Sequence, residues 1–88
     1  MDQAELRRRF VEKLYFWHPP KWGGSHTEER NLFKGMPKHL IGRKETLAVL
    51  HELYRERLIL KHVKSNEVHV SLNPEKKKEI EEIVFTQA

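Results

Sequence analysis

Residues 43–72 read RKETLAVLHELYRERLILKHVKSNEVHVSL, and the hydrophobic period changes partway along this stretch. Up to Arg57 the apolar residues recur at helical spacing, with Leu47, Leu50, Leu53 and Tyr54 on one side, flanked by Thr46 and the stem of Arg57. From Leu58 onward the period drops to two, the signature of a half-buried strand. With Ser65 and Asn66 at the centre of a tight turn, the strand partners become Lys64 with Glu67, Val63 with Val68, His62 with His69, Lys61 with Val70, Leu60 with Ser71 and Ile59 with Leu72. This register gathers Ile59, Val63, Val68, Val70 and Leu72 on one face and sets opposite charges across the tip. Lys61 is the misfit. A slip of one residue would break the sorting, so the pattern specifies the register even without an Asn-Gly turn.

The other side of the 43–57 helix splits into two columns. Lys44, Ala48, His51 and Arg55 stand at i, i+4, i+7 and i+11 and form a basic stripe, while Glu45, Glu52 and Glu56 line an acidic one beside it. A basic stripe interrupted only by a small alanine suits close approach to a polyanion. The same residues also suit an ordinary surface helix laced with ion pairs.

Upstream, the pattern predicts a helix over residues 3–16, with Asp2 as N-cap and Glu5 at capping-box spacing. Leu6, Phe10, Leu14 and Trp17 share its apolar stripe, with Val11 at the margin and Trp17 expected to be buried. The triplet Arg7-Arg8-Arg9 points in three directions at 100° per residue and reads as a solvated surface. His18-Pro19-Pro20 ends this helix and Gly23-Gly24 loosens the chain. Ser25 with Glu28 is a second capping-box spacing, predicting a short helix through about residue 34 that Gly35 closes. Pro37 suits the start of a single turn over residues 37–41, with Gly42 as the hinge into the next helix. Downstream, Asn73-Pro74 is a helix start, and Ile80, Ile83 and Val84 give that helix a narrow apolar stripe. Such a stripe serves either to close the core or to pair with a second copy of the chain, a homodimer through residues 74–86.

Eighty-eight residues with 38% hydrophobic content make one small domain. With no cysteine, disulfides and thiolate metal sites are excluded. No apolar run approaches the roughly 20 residues that span a bilayer. The start Met1-Asp2-Gln3-Ala4-Glu5 lacks a signal-peptide pattern, so a soluble protein of the cytoplasm, with no membrane partner, is expected. The net charge of +4 is concentrated: Lys21, Arg30, Lys34, Lys38, Arg43 and Lys44 face only Glu28 and Glu29 between His18 and Lys44. Clustered positive charge suits a phosphate backbone, because neutralising phosphates releases condensed counterions.

Six histidines raise a metal hypothesis. His62 opposite His69 supplies two ligands without a third, and no H-x-x-x-H spacing occurs, so no metal or other cofactor is expected. Histidine is the side chain that changes charge near neutral pH, so with His51, His62 and His69 present, anion binding is expected to strengthen on mild acidification. Nucleophile, phosphate-loop and metalloprotease motifs are absent from the sequence, so the expectation is a non-enzymatic protein. Trp22, among Lys21, His26 and Arg30, has the surroundings of a residue that stacks on a base.

The helix, hinge and hairpin of residues 43–72 resemble those of winged helix-turn-helix proteins. The block KWGGSHTEERNLFKGMPKHLIG is similar to small archaeal winged-helix proteins of unassigned function. The resemblance implies an α+β fold, a single winged helix-turn-helix domain over residues 1–88. Its parts are helix 1 (1–17), a basic loop with short helices (18–42), a recognition helix (43–57), a wing hairpin (58–72) and a C-terminal helix (74–86). Arg57 departs from the pattern, standing where such proteins commonly carry glycine, and the recognition helix is less basic than usual. The resemblance further implies nucleic-acid binding, with duplex DNA favoured and transcriptional regulation as a role. On that reading Lys44, Ala48, His51 and Arg55 face the major groove, Lys64 marks the wing tip, and Lys38 and Arg43 grip phosphates. Structured RNA, including a ribosomal setting, is the alternative, contacted through the basic 18–44 segment with Lys21, Trp22, Arg30, Lys34 and Lys38. A protein-interaction domain using Glu45, Glu52 and Glu56 is a third reading.

Overall fold

Asp2 opens the first helix as its spacing predicts: the carboxylate accepts the Glu5 amide proton at 2.8 Å, and α1 runs Gln3–Tyr15. The structure, a computed structural model, describes residues 1–86. A two-residue strand β1 (Thr27–Glu28) follows, then 3₁₀ turns at Glu29–Phe33 and Lys38–Leu40, and helix α2 (Lys44–Arg55). Strands β2 (Ile59–Lys64) and β3 (Glu67–Leu72) come next, and a 3₁₀ turn at Pro74–Lys76 leads into α3 (Lys77–Phe85). Among the described residues the protein is α+β, with three α-helices and one antiparallel sheet of order β1-β3-β2. That arrangement is compatible with a winged helix.

The hairpin pairs as the alternation predicts, from Ile59↔Leu72 at its root to Lys64↔Glu67 at its tip. Its apolar face is covered only near the root. Ile59, Val70 and Leu72 are buried, whereas Val63 is 69% exposed because the tip projects beyond the core. Around the root pack Leu6, Phe10, Val11 and Leu14 of α1, Leu50 and Leu53 of α2, and Ile80 and Val84 of α3. Val11 lies fully inside rather than at the margin.

Helix α2 is turned from the predicted orientation. Thr46, Val49, Leu50 and Leu53 face inward, and Leu47 is exposed. The reason is α1, which crosses on the Val49 side, where Gln3, Ala4 and Arg7 line a shallow cleft with Ala48, Val49, Glu52 and Glu56. At its far end α2 closes with a Schellman motif: Leu58 N–H donates to the Leu53 carbonyl and Arg57 N–H to that of Tyr54, both at 3.0 Å. Arg57 occupies the left-handed position of that motif, with φ +62°. Asn73 holds the exit, its side-chain amide donating to the Arg57 carbonyl at 2.8 Å.

Residues 18–42 differ most from expectation. Ser25 caps no helix, because Thr27 and Glu28 form β1 on the open edge of β3, paired with Val70 and His69. Backbone committed to a sheet edge cannot start a helix, so helical structure begins only at Glu29. Trp22 bridges to Leu72 and packs against the core edge-on to Tyr15, whereas Trp17 is half-buried and outside the core cluster, with the Lys21 ammonium 5.8 Å from its ring. Gly23 has φ +56°, and a Cβ there would stand 3.3 Å from Pro74, so this glycine permits a tight reversal beside the α3 entrance.

The arginine triplet does point three ways, but each side chain is bound. Arg7 pairs with Glu56, Arg8 donates to the Ile83 carbonyl at 3.2 Å, and Arg9 donates to the Gly35 carbonyl at 2.5 Å. One turn of α1 therefore fastens α2, α3 and the connecting segment. Lys13 adds a fourth tie, to the Lys34 carbonyl at 2.9 Å.

Candidate nucleic-acid interface

Because α2 buries Thr46, Val49, Leu50 and Leu53, the helical period turns Lys44, Ala48, His51 and Arg55 to solvent, and all four are exposed. The stripe predicted from spacing is thus assembled on one face. Its charge is partly compensated: Arg55 pairs with Glu52 at 2.7 Å, and Arg43, at the N-cap, pairs with Glu45 at 3.4 Å. Lys38, Lys44 and Lys64 are exposed and enter no ion pair among the described residues.

Lys61, the misfit of the sequence pattern, joins this surface. Its ammonium lies 5.4 Å from the centroid of the Tyr54 ring, and His51 stacks near the same ring at 6.4 Å and 30°. The Tyr54 hydroxyl donates to the Glu29 carboxylate, which fixes the ring between α2 and the 3₁₀ turn. Burial, and then that hydrogen bond, push the Tyr54 hydroxyl far above its ordinary value, so it remains a donor. Helix and hairpin cations are in this way joined through one anchored aromatic ring. The signal in sequence was a lysine at a core-facing strand position, which placed it on the same side as α2.

The basic segment is less concentrated than its composition. Arg30 is exposed but paired with Glu28 at 3.1 Å; Lys34 is exposed; Lys21 leans toward Trp17. Trp22, which the sequence leaves open between base stacking and the core, has its ring against Tyr15 and the core.

On the opposite face of the sheet His62 and His69 gain the third histidine that sequence reasoning lacked. His26 Nδ1 is 2.8 Å from His69 Nδ1, and its ring stacks on His62 with centroids 4.9 Å apart. No group of three or more His, Asp or Glu among the described residues is placed to hold a metal ion. No helix among those residues is long and apolar enough to cross a membrane. No family model matches the chain, no curated protein matches it, and no solved structure matches it.

Proposed function

We propose that this chain is a non-enzymatic nucleic-acid-binding module of winged helix-turn-helix type that takes duplex DNA without a cofactor, in the service of transcriptional regulation. The observation carrying this reading is the shared exposure of Lys44, Ala48, His51 and Arg55 on α2, beside a hairpin whose Lys61 meets the same face across Tyr54. A helix of this diameter fits the major groove, roughly 12 Å wide, and Ala48 keeps its centre slim. Phosphate contacts from Lys38, Lys44, Lys61 and Lys64 supply most of the affinity, and His51 and Arg55 supply the few base-edge contacts.

The test is a salt titration of binding to matched duplex DNA, duplex RNA and single strands. Four phosphates neutralised by those four lysines give a log–log slope of roughly −3.6 on duplex DNA. Replacing His51 and Arg55 by glutamate abolishes that binding, while replacing Lys21, Arg30 and Lys38 weakens it less. The reverse ranking, with duplex RNA preferred, would transfer the function to the 18–44 segment.

A second reading is supported by the Arg43–Glu45 and Arg55–Glu52 pairs, which make the face mixed in charge and suited to a protein partner. Absence of binding to every nucleic acid at low salt would leave that reading in place.

A further inference from the structure

His26, His62 and His69 meet on the outer face of the sheet, away from the core. The register sets Glu28 across from His69, and the alternation along the chain turns His26 to the same side. Glu67 accepts a hydrogen bond from His69 Nε2 at 2.8 Å, which leaves His69 Nδ1 as the acceptor for the proton on His26 Nδ1. This assignment follows from the network of partners. His62 Nε2 lies 2.9 Å from the hydroxyl of buried Ser71, and its ring lies over His26.

We propose that this trio is a proton-operated latch that holds β1 on the edge of β3 while the imidazoles are neutral and releases it when the His26–His69 pair becomes doubly protonated. Only one hydrogen fits between two nitrogens 2.8 Å apart, so a fully protonated pair sets N–H against N–H and must separate. Little else resists: β1 is two residues long, with Thr27↔Val70 and Glu28↔His69 as its partners. On either side the chain is anchored, by Gly23 N–H to the Leu72 carbonyl at 2.9 Å before β1, and by Glu29, whose carboxylate accepts from Tyr54, and buried Leu32 after it. The release is therefore local, and it bares the backbone of Val70 on the β3 edge while Leu72 stays paired with Lys21 and Gly23.

Cations prevail among the charged groups around the pair. Lys21 before β1, Arg30 in the turn after it and Lys64 on β2 outnumber Glu28 on β1 and Glu67 on β3. Burial, followed by Lys64, His62, His69 and Lys21, holds His26 below its ordinary 6.5. A histidine so depressed is protonated later in the folded chain than in the unfolded one. Its contribution to docking is complete above about pH 6.5 and declines as the pH falls below that value. Protons thus act on β1 and the sheet edge, one residue before Glu29, which holds Tyr54 of α2.

Amide hydrogen exchange by NMR, expressed as protection factors at pH 7.5 and 5.5, tests the latch. Protection at Thr27, whose partner Val70 turns its backbone toward β1, falls about tenfold between the two, while the amides of β2 keep theirs. His26→Gln removes this pH dependence. Glu67→Gln withdraws the carboxylate charge 2.8 Å from His69 Nε2 and moves the opening to lower pH. Constant protection of β1 in the unaltered chain, or a loss that takes β2 with it, overturns the proposal, as does an unchanged pH dependence in His26→Gln. If that variant does not fold, the titration of the unaltered chain and of Glu67→Gln still decides.

Discussion

Arg7 of α1 holds the carboxylate of Glu56 at the end of α2 with both terminal guanidinium nitrogens, at 2.5 and 2.8 Å. The hydrogen bond from Arg7 keeps Glu56 below its ordinary 4.5 and raises Arg7 in turn. A carboxylate with a lowered folded value stabilises the protein above its unfolded value, and the contribution disappears as pH falls through the folded one. Both side chains are about a third exposed or more, so solvent screening limits the pair to about 0.5–1 kcal/mol. Glu56→Gln is expected to lower stability by that amount at pH 7 and to match the unaltered chain near pH 2. Urea unfolding at both values checks it; an equal deficit at the two would remove the ion pair as the cause.

Thr46 is 1% exposed, and its hydroxyl has no hydrogen-bond partner. An unpaired buried hydroxyl forfeits its hydration, so Thr46→Val, which keeps the branched shape, is expected to stabilise the fold by about 1 kcal/mol. In a domain of this size that raises Tm by roughly 4–8 °C. A calorimetric scan showing a lower Tm would mean that the hydroxyl is satisfied in solution.

Arg57 adopts φ +62°, a conformation that costs a residue with a Cβ about 1–2 kcal/mol. Arg57→Gly recovers part of this and gives up some unfolded-state entropy, for a net gain of about 0.5–1 kcal/mol. The Asn73 bond to the residue-57 carbonyl is backbone-directed and survives the change. Chemical denaturation measures the gain, and a loss of stability would show that the arginine side chain contributes to the helix end.

Lys61 sits over Tyr54 in line with His51. If the surface of α2 and the hairpin binds duplex DNA, Lys61→Ala weakens binding about 3- to 10-fold and makes the salt slope shallower by about 0.9, the share of one phosphate. Fluorescence anisotropy against salt reads both. Unchanged affinity and slope would place the ligand elsewhere.

Much of this architecture was legible from residues 43–72 because its determinants are local. A period of two can be satisfied in one register only, and the helix facing it spaces Lys44, Ala48, His51 and Arg55 on one side whatever packs behind them. The departure at Arg57 was legible too, and the left-handed backbone accounts for why glycine would suit that position. Leu47 was misplaced because the sequence of α2 offers two overlapping apolar arcs, and the crossing of α1 over Val49 selects between them.

Amino-acid order alone therefore determined the three α-helices, the hairpin register and the outward basic stripe, each set by interactions among residues near in the chain. Tertiary structure alone decided that Thr27 and Glu28 join the sheet, that Trp22 rather than Trp17 meets the core, that Arg7, Arg8 and Arg9 fasten three elements, and that His26 reaches His62 and His69. These contacts join residues far apart in sequence, and no periodicity encodes which distant partner a side chain will meet once the core has closed.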